Sequence, residues 1–268
     1  MAITQSCLPF EPWMEPRADV LPGLQPITCA DWLCVDDAFA AQMAYRDHLL
    51  ETIRGDVLMT SDASAESACE LLRILIEELS AADGYRRDGD QFLRSDGKQV
   101  SLNMTAPLET SARLVQEDLA ILEFDGARHR FVAGAVCFPA SWLLKEKIGR
   151  TLASLHRPVD RYTDQIDGRI ERVFANLRPE TPLMRANFLV YTDPDLHQPL
   201  PEGVAKRFDV SAPRYIRVER QTLRRLPQTK AIVFAIHTFQ TPASTLSATS
   251  YARLAALRPE LLADAPVA

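Results

Sequence analysis

The residues in this sequence best placed by type and spacing to do chemistry are His156, Arg185, Arg217, Glu219 and His237. His156 closes an apolar stretch. In SWLLKEKIGRTLASLHRPVDRY, residues 141–162, Leu144, Ile148, Leu152 and Leu155 recur at helical intervals, and His156 follows Leu152 by four. On a helix such positions share a face, so the imidazole would sit at the edge of a buried stripe. Pro158 forces Arg157 out of the α region and would stop the helix there. A neutral imidazole fixed in this way suits a metal, including the axial bond to haem iron. The same spacing suits a capping or core histidine bonded to backbone carbonyls.

The other candidates lie on three strand-like runs. Alternation in LMRANFLVY puts Arg185, Asn187 and Leu189 on one face. In YIRVERQTLRRLP it puts Arg217, Glu219 and Gln221 on one face and Ile216, Val218 and Arg220 on the other. Such a face is either a solvated surface laced with ion pairs or the polar wall of a cavity. In a cavity the guanidinium groups could pair with carboxylates such as haem propionates, and Glu219 could hold a protonated amine. Arg224 and Arg225 are either exposed or turned towards an acidic partner. His237 alternates with apolar residues in AIVFAIHTF, where it lines a pocket or is a satisfied strand histidine. His129, after a turn, and His197, in a proline-flanked loop, are expected in solvent, and His48 falls on the first helix.

The elements that must position these groups are legible from periodicity. A helix is expected over 36–54, with Phe39, Met43 and Leu50 inward. A second runs from a cap at Ser61 or Asp62 to a stop at Gly84, burying Leu71, Leu72, Ile74, Leu75 and Leu79. Two Asp-Gly pairs within 85–103 mark tight turns, and Asp125-Gly126 joins two apolar strands of a hairpin that ends at Pro139. The helix leading to His156 begins there. Another helix follows, with Ile166, Ile170, Val173, Phe174 and Leu177 on one side, then the three strands and a short C-terminal helix. Strands grouped by tight turns, rather than alternating with helices, point to a mainly antiparallel α+β fold in a single domain over 31–268. Residues 1–30, rich in proline, read as an extended arm. No GxGxxG or GxxxxGK[ST] occurs to support a dinucleotide or P-loop site.

Composition sets the outer bounds. With 47% hydrophobic and 25% charged residues, the chain of 268 can bury a sizeable core as an ordinary soluble protein. A net charge of −6 argues against nucleic acid or an anionic membrane as a partner. No apolar run has the length of a membrane span, and the first residues lack the basic and apolar regions of a signal peptide, so a cytoplasmic protein is expected. The five cysteines are scattered, without a CxxC pair, and spacing indicates neither a disulfide framework nor a zinc site. Cys137 reads as a small core residue.

Three segments together carry a resemblance: CFPASWLLKEKIGRTLASLHRPVD, PLMRANFLVYTDPDL and IRVERQTLRRLPQTKAIVFAIHTF. In order, they resemble the haem-dependent oxidative N-demethylase family, with a weaker likeness at PGLQPI and DWLCVDDAF near the start. Phe188, Arg157 and Asp160 depart from the family's usual tryptophan, small residue and proline. The resemblance implies a PAS-like, mainly antiparallel sheet flanked by helices, holding a b-type haem with His156 as its axial ligand. It implies a monooxygenase that demethylates a small amine such as dimethylamine with O2, releasing formaldehyde. Glu219 would face the amine, and Arg185 and Arg217 would meet the haem propionates or set the field around oxygen. His237 would border the cofactor. Electrons would come from NADPH through flavin and iron–sulfur partner subunits, because the chain has no ferredoxin-like cysteine cluster of its own. The alternative implied by the same segments is a haem-binding PAS-like sensor or carrier without turnover.

Overall fold

The computed structural model describes residues 2–15, 23–151, 154–155, 164–209 and 211–259, and of residues 164–167 the backbone alone. Its centre is a seven-stranded, wholly antiparallel sheet in the order β1-β8-β9-β10-β6-β7-β2. These are β1 (Gln25–Pro26), β2 (Leu58–Thr60), β6 (Asp118–Phe124), β7 (His129–Ala135), β8 (Leu183–Tyr191), β9 (Tyr215–Arg225) and β10 (Ile232–Pro242). The hairpin region folds as a separate three-stranded sheet of β3 (Arg86–Asp88), β4 (Gln91–Leu93) and β5 (Gln99–Ser101). The α+β architecture expected from the sequence is present as one domain, and it is compatible with a PAS-like arrangement. No helix among the described residues is long and apolar enough to cross a membrane.

One face of the large sheet packs against α1 (Phe39–Thr52), α3 (Ala65–Leu79), α4 (Pro107–Leu114) and the small sheet. Leu71, Leu72, Leu75 and Leu79, spaced as a helical stripe, are buried there, as are Met43 and Leu50. A short helix, α2 (Arg54–Val57), links α1 to β2. Further along the same face, Trp13 meets Phe188 edge-on and joins Val218, Phe239 and Leu254 of α7 (Ala248–Leu257), which covers this end. The opposite face is covered by α6 (Asp164–Asn176), whose Phe174 and the following Leu177 lie on Leu122, Leu223 and Ile232. Neither Ser61 nor Asp62 caps α3; a 3-10 turn over Asp62–Ser64 intervenes and the helix starts at Ala65. It ends at Leu79 rather than at Gly84, whose φ of +79° serves the following turn.

The helix expected from Pro139 to His156 does not form as one piece. Only α5 (Leu144–Lys147) is helical before Ile148 turns extended and Gly149 adopts φ +77°. Residues 149–151 then join the edge of β7: the Gly149 amide donates to the Phe131 carbonyl at 2.7 Å, the Phe131 amide donates to the Arg150 carbonyl at 3.0 Å, and Thr151 bridges to Arg130. An open strand edge offers more hydrogen bonds than a continued helix on which Gly149 is a poor resident. β7 likewise ends at Ala135, short of Pro139.

Gly134 marks how tightly this region packs. A Cβ there would stand 2.7 Å from Phe131 Cζ and 2.9 Å from Leu144 Cδ1, both on buried side chains. Gly134→Ala is expected to cost about 1–3 kcal/mol. Urea unfolding midpoints would show this, and an unchanged midpoint would mean that the contact is soft.

Candidate functional site

Strand register brings the charged residues of β8 and β9 together. Arg185 pairs with Gln221, Asn187 with Glu219 and Leu189 with Arg217, while Glu219 faces Thr238 on β10. Directly opposed residues share a face, so Arg185, Asn187, Gln221, Glu219, Arg217 and Thr238 form one polar wall. It lies on the face covered by α6, beyond the apolar patch of Leu183, Leu223 and Phe234. Leu155 packs against this same patch, next in sequence to His156. His156 itself lies outside the described residues.

The wall is held from one end. Arg217, fully buried, donates to the Leu196 carbonyl at 3.0 Å, to the Phe138 carbonyl and to Thr238 Oγ1 at 3.3 Å. Its Nη2 is 3.1 Å from Glu219 Oε1, and Gln221 Nε2 donates to Glu219 Oε2 at 3.0 Å. Phe138 is placed in turn by Asp118, whose carboxylate accepts the Cys137 and Phe138 amides at 2.8 and 2.9 Å and pairs with buried Arg46. Tyr191 Oη and Ser141 Oγ, 3.0 Å apart, close this end. Glu219 retains free lone pairs, since a carboxylate can accept about four bonds.

Arg185 is different. It is half-buried and has no hydrogen-bond partner among the described residues. Burial pulls its pKa below the usual arginine value, and only the charge of Glu219 opposes this. Next to it, Asn187 Oδ1 is buried and unpaired among the described residues, as is Arg217 Nε. Unpaired buried polar atoms are costly, and a bound polar group reaching Arg185 and Asn187 would relieve part of that cost. A carboxylate against Arg185 fits this chemistry, so the residues present suit a haem propionate.

Replacing Arg217 by methionine would leave Glu219 and two carbonyls buried without their partner. Arg217→Met is expected to destabilise the fold by about 3–5 kcal/mol. Arg217→Lys would restore little, because a single ammonium cannot reproduce the guanidinium fork. Chemical denaturation of both variants checks this; a loss under about 1 kcal/mol would show the pair to be dispensable.

His237 is not part of this wall. Its strand position pairs with Arg220, and its ring lies on the opposite face. There it is fully buried, with Nε2 3.0 Å from Asp36 Oδ2 and Nδ1 3.1 Å from Glu117 Oε1. Burial alone would depress its pKa, but the hydrogen bonds and charges of Asp36 and Glu117 outweigh this and raise it. Gln116 and Gln5 also donate to Asp36, at 2.8 and 2.7 Å. Sequence reading passed over Asp36 and Glu117; the signal was faint, an acidic pair before a helix in DWLCVDDAF and a second before β6.

Two further readings are corrected by burial. His129 is not in solvent: it is buried, its Nδ1 2.7 Å from Glu171 Oε2, its ring edge-on to Phe174. His197 is half-buried, with Nδ1 2.8 Å from the Cys137 carbonyl, while His48 is exposed. Arg224 and Arg225 are neither exposed nor free for an outside partner. Arg224 is buried against the Trp32 ring and paired with Glu78, and Arg225 donates to the Ala175 carbonyl at the end of α6. Cys137 is buried as expected.

Compared with known protein families, residues 23–261 match the family described as haem-dependent oxidative N-demethylase, alpha subunit-like.

Proposed function

The chain belongs to that family, and from this premise we propose that it catalyses the oxidative N-demethylation of a small methylated amine such as dimethylamine. The balance is one amine, one O2, two electrons and two protons, giving methylamine, formaldehyde and water. The electrons come from NADPH through separate flavin and iron–sulfur proteins, and the work is done in the cytoplasm. Bound b-type haem supplies the iron at which oxygen is reduced.

The chain's own residues have three tasks. His156 would supply the imidazole that holds the haem iron. Arg185 binds a propionate, since its half-buried guanidinium has no other hydrogen-bond partner among the described residues. Glu219 orients the amine through its free lone pairs, while Arg217 and Gln221 keep the carboxylate in place. Thr238 and Tyr191, both buried, complete the polar lining. The observation that carries this reading is the cross-strand pairing of Asn187 with Glu219 beside Arg185 with Gln221. It puts a carboxylate and a guanidinium on one wall, which supports an amine bound beside an anionic group.

The test is to load the full chain with haem and titrate dimethylamine while recording the Soret band, then supply a reductase system and measure formaldehyde. A saturable spectral shift with formaldehyde release equal to amine consumed is expected. Haem binding with no amine response would replace the enzyme by a haem sensor or carrier.

A further inference from the structure

On the other side of β10 from the polar wall, the side chains of Cys34, Glu117 and His237 converge, with ligand-capable atoms all within 4.8 Å of one another. Glu117 Oε1 accepts the Cys34 amide at 2.8 Å and faces His237 Nδ1. Glu117 is 1% exposed, yet its Oε2 has no hydrogen-bond partner among the described residues. A carboxylate oxygen is an obligatory acceptor, and leaving one unsatisfied inside a protein is expensive unless a cation takes it up. Cys34 Sγ also makes no hydrogen bond among the described residues. Asp36 Oδ2 lies 3.0 Å from His237 Nε2, on the ring nitrogen that Glu117 does not face.

We infer that Cys34, Glu117 and His237 form a zinc site, separate from the haem wall. The ligands are the Cys34 thiolate, a Glu117 carboxylate oxygen and His237 Nδ1. One sulfur, one nitrogen and one oxygen make a donor set suited to Zn2+. Tetrahedral bonds of about 2.0–2.3 Å separate ligand atoms by roughly 3.5 Å, so the cluster needs to contract only modestly. Asp36 supplies the carboxylate that commonly fixes a zinc-bound imidazole from its second nitrogen. Cys34 is half-buried, which gives the ion an entry path and leaves the fourth position to water.

Charge is conserved on binding. Without metal, the Asp36 and Glu117 carboxylates lie against the two nitrogens of the His237 ring, and the charges of Arg220 and Asp31 also reach Cys34. Zn2+ enters as two protons leave, one from His237 Nδ1 and one from the Cys34 thiol. The ion would join the 29–36 segment to the residue that precedes β6 and to β10, three stretches distant in sequence. It therefore stiffens β10 from behind, next to Thr238, which contacts Arg217.

Zinc content and zinc-edge X-ray absorption of the full, haem-loaded chain test this, because the zinc edge is separate from that of iron. One zinc per chain is expected, with one sulfur at about 2.3 Å and the remaining ligands at about 2.0–2.2 Å. Cys34→Ser should lose the sulfur shell, Cys69→Ser should keep it, and Asp36→Asn should weaken zinc binding about 10- to 100-fold. If Cys34→Ser does not fold, alkylation of the parent decides: zinc should protect Cys34, and a chelator should release it. A parent with no stoichiometric zinc, a shell without sulfur, or Cys34 alkylating equally with and without zinc would overturn the site. The cluster would then be a proton-held bridge between two carboxylates.

Discussion

Glu219→Gln is expected to lower kcat/KM for dimethylamine by roughly 10- to 100-fold, the equivalent of a hydrogen bond to a charged group worth about 1.5–3 kcal/mol. Glutamine keeps the shape of the side chain; its one oxygen can still accept from Arg217, and its NH2 can donate to Gln221 once the Gln221 amide turns over. What it loses is the negative charge that holds an ammonium. Glu219 is 5% exposed, so water does not mask that loss. The effect should fall mainly on KM, because the carboxylate binds the substrate in its ground state. The Soret band should stay as in the parent, since the proposed haem ligand is His156 and not Glu219. Steady-state formaldehyde release beside the amine titration separates the two parameters. Unchanged kinetics for every amine tried would remove Glu219 from the substrate site.

The second large effect is expected at His156. His156→Ala should abolish or shift the Soret band and weaken haem by more than the 10- to 100-fold typical of residues behind a ligand. The lost ligand can be told apart from a lost fold by adding free imidazole, which should enter the space left by the side chain and restore the band. The warrant is twofold: the motif that His156 shares with the family, and Leu155 packing on the sheet face that carries Arg185 and Glu219. A variant with the parent's spectrum would show that the iron is held by another group.

The residues explain why part of this protein could be read in advance. α3 and the Asp125-Gly126 hairpin are coded within a few residues, by a stripe of leucines and a turn dipeptide. The facing of Arg217 with Glu219, and of Arg185 with Asn187, follows from alternation alone. That these two faces meet does not, because residues 192–214 separate the strands and leave their register open. The broken helix was missed for a related reason. Leu144, Ile148, Leu152 and Leu155 satisfy helical spacing, whereas the break at Gly149 is decided by the free edge of β7, which local sequence does not display. His129 read as solvated because Glu171, its partner, is 42 residues away. The Cys34, Glu117 and His237 cluster was invisible to spacing rules for the same cause: its members come from three distant segments.

The wall on β9 also constrains how this chain can vary. Ile216 and Val218 point into the core while Arg217 and Glu219, their immediate neighbours, belong to the polar wall. A single inserted residue within Tyr215–Arg225 would exchange the two sets, placing charge in the core and apolar carbon in the site at one stroke. Two inserted residues would restore the facing but shift every partner. Insertions in the exposed stretch 201–207 carry no such penalty. Length variation among functional versions of this chain should therefore gather in that loop and avoid the strand, a pattern that an insertion library scored for haem content would reveal.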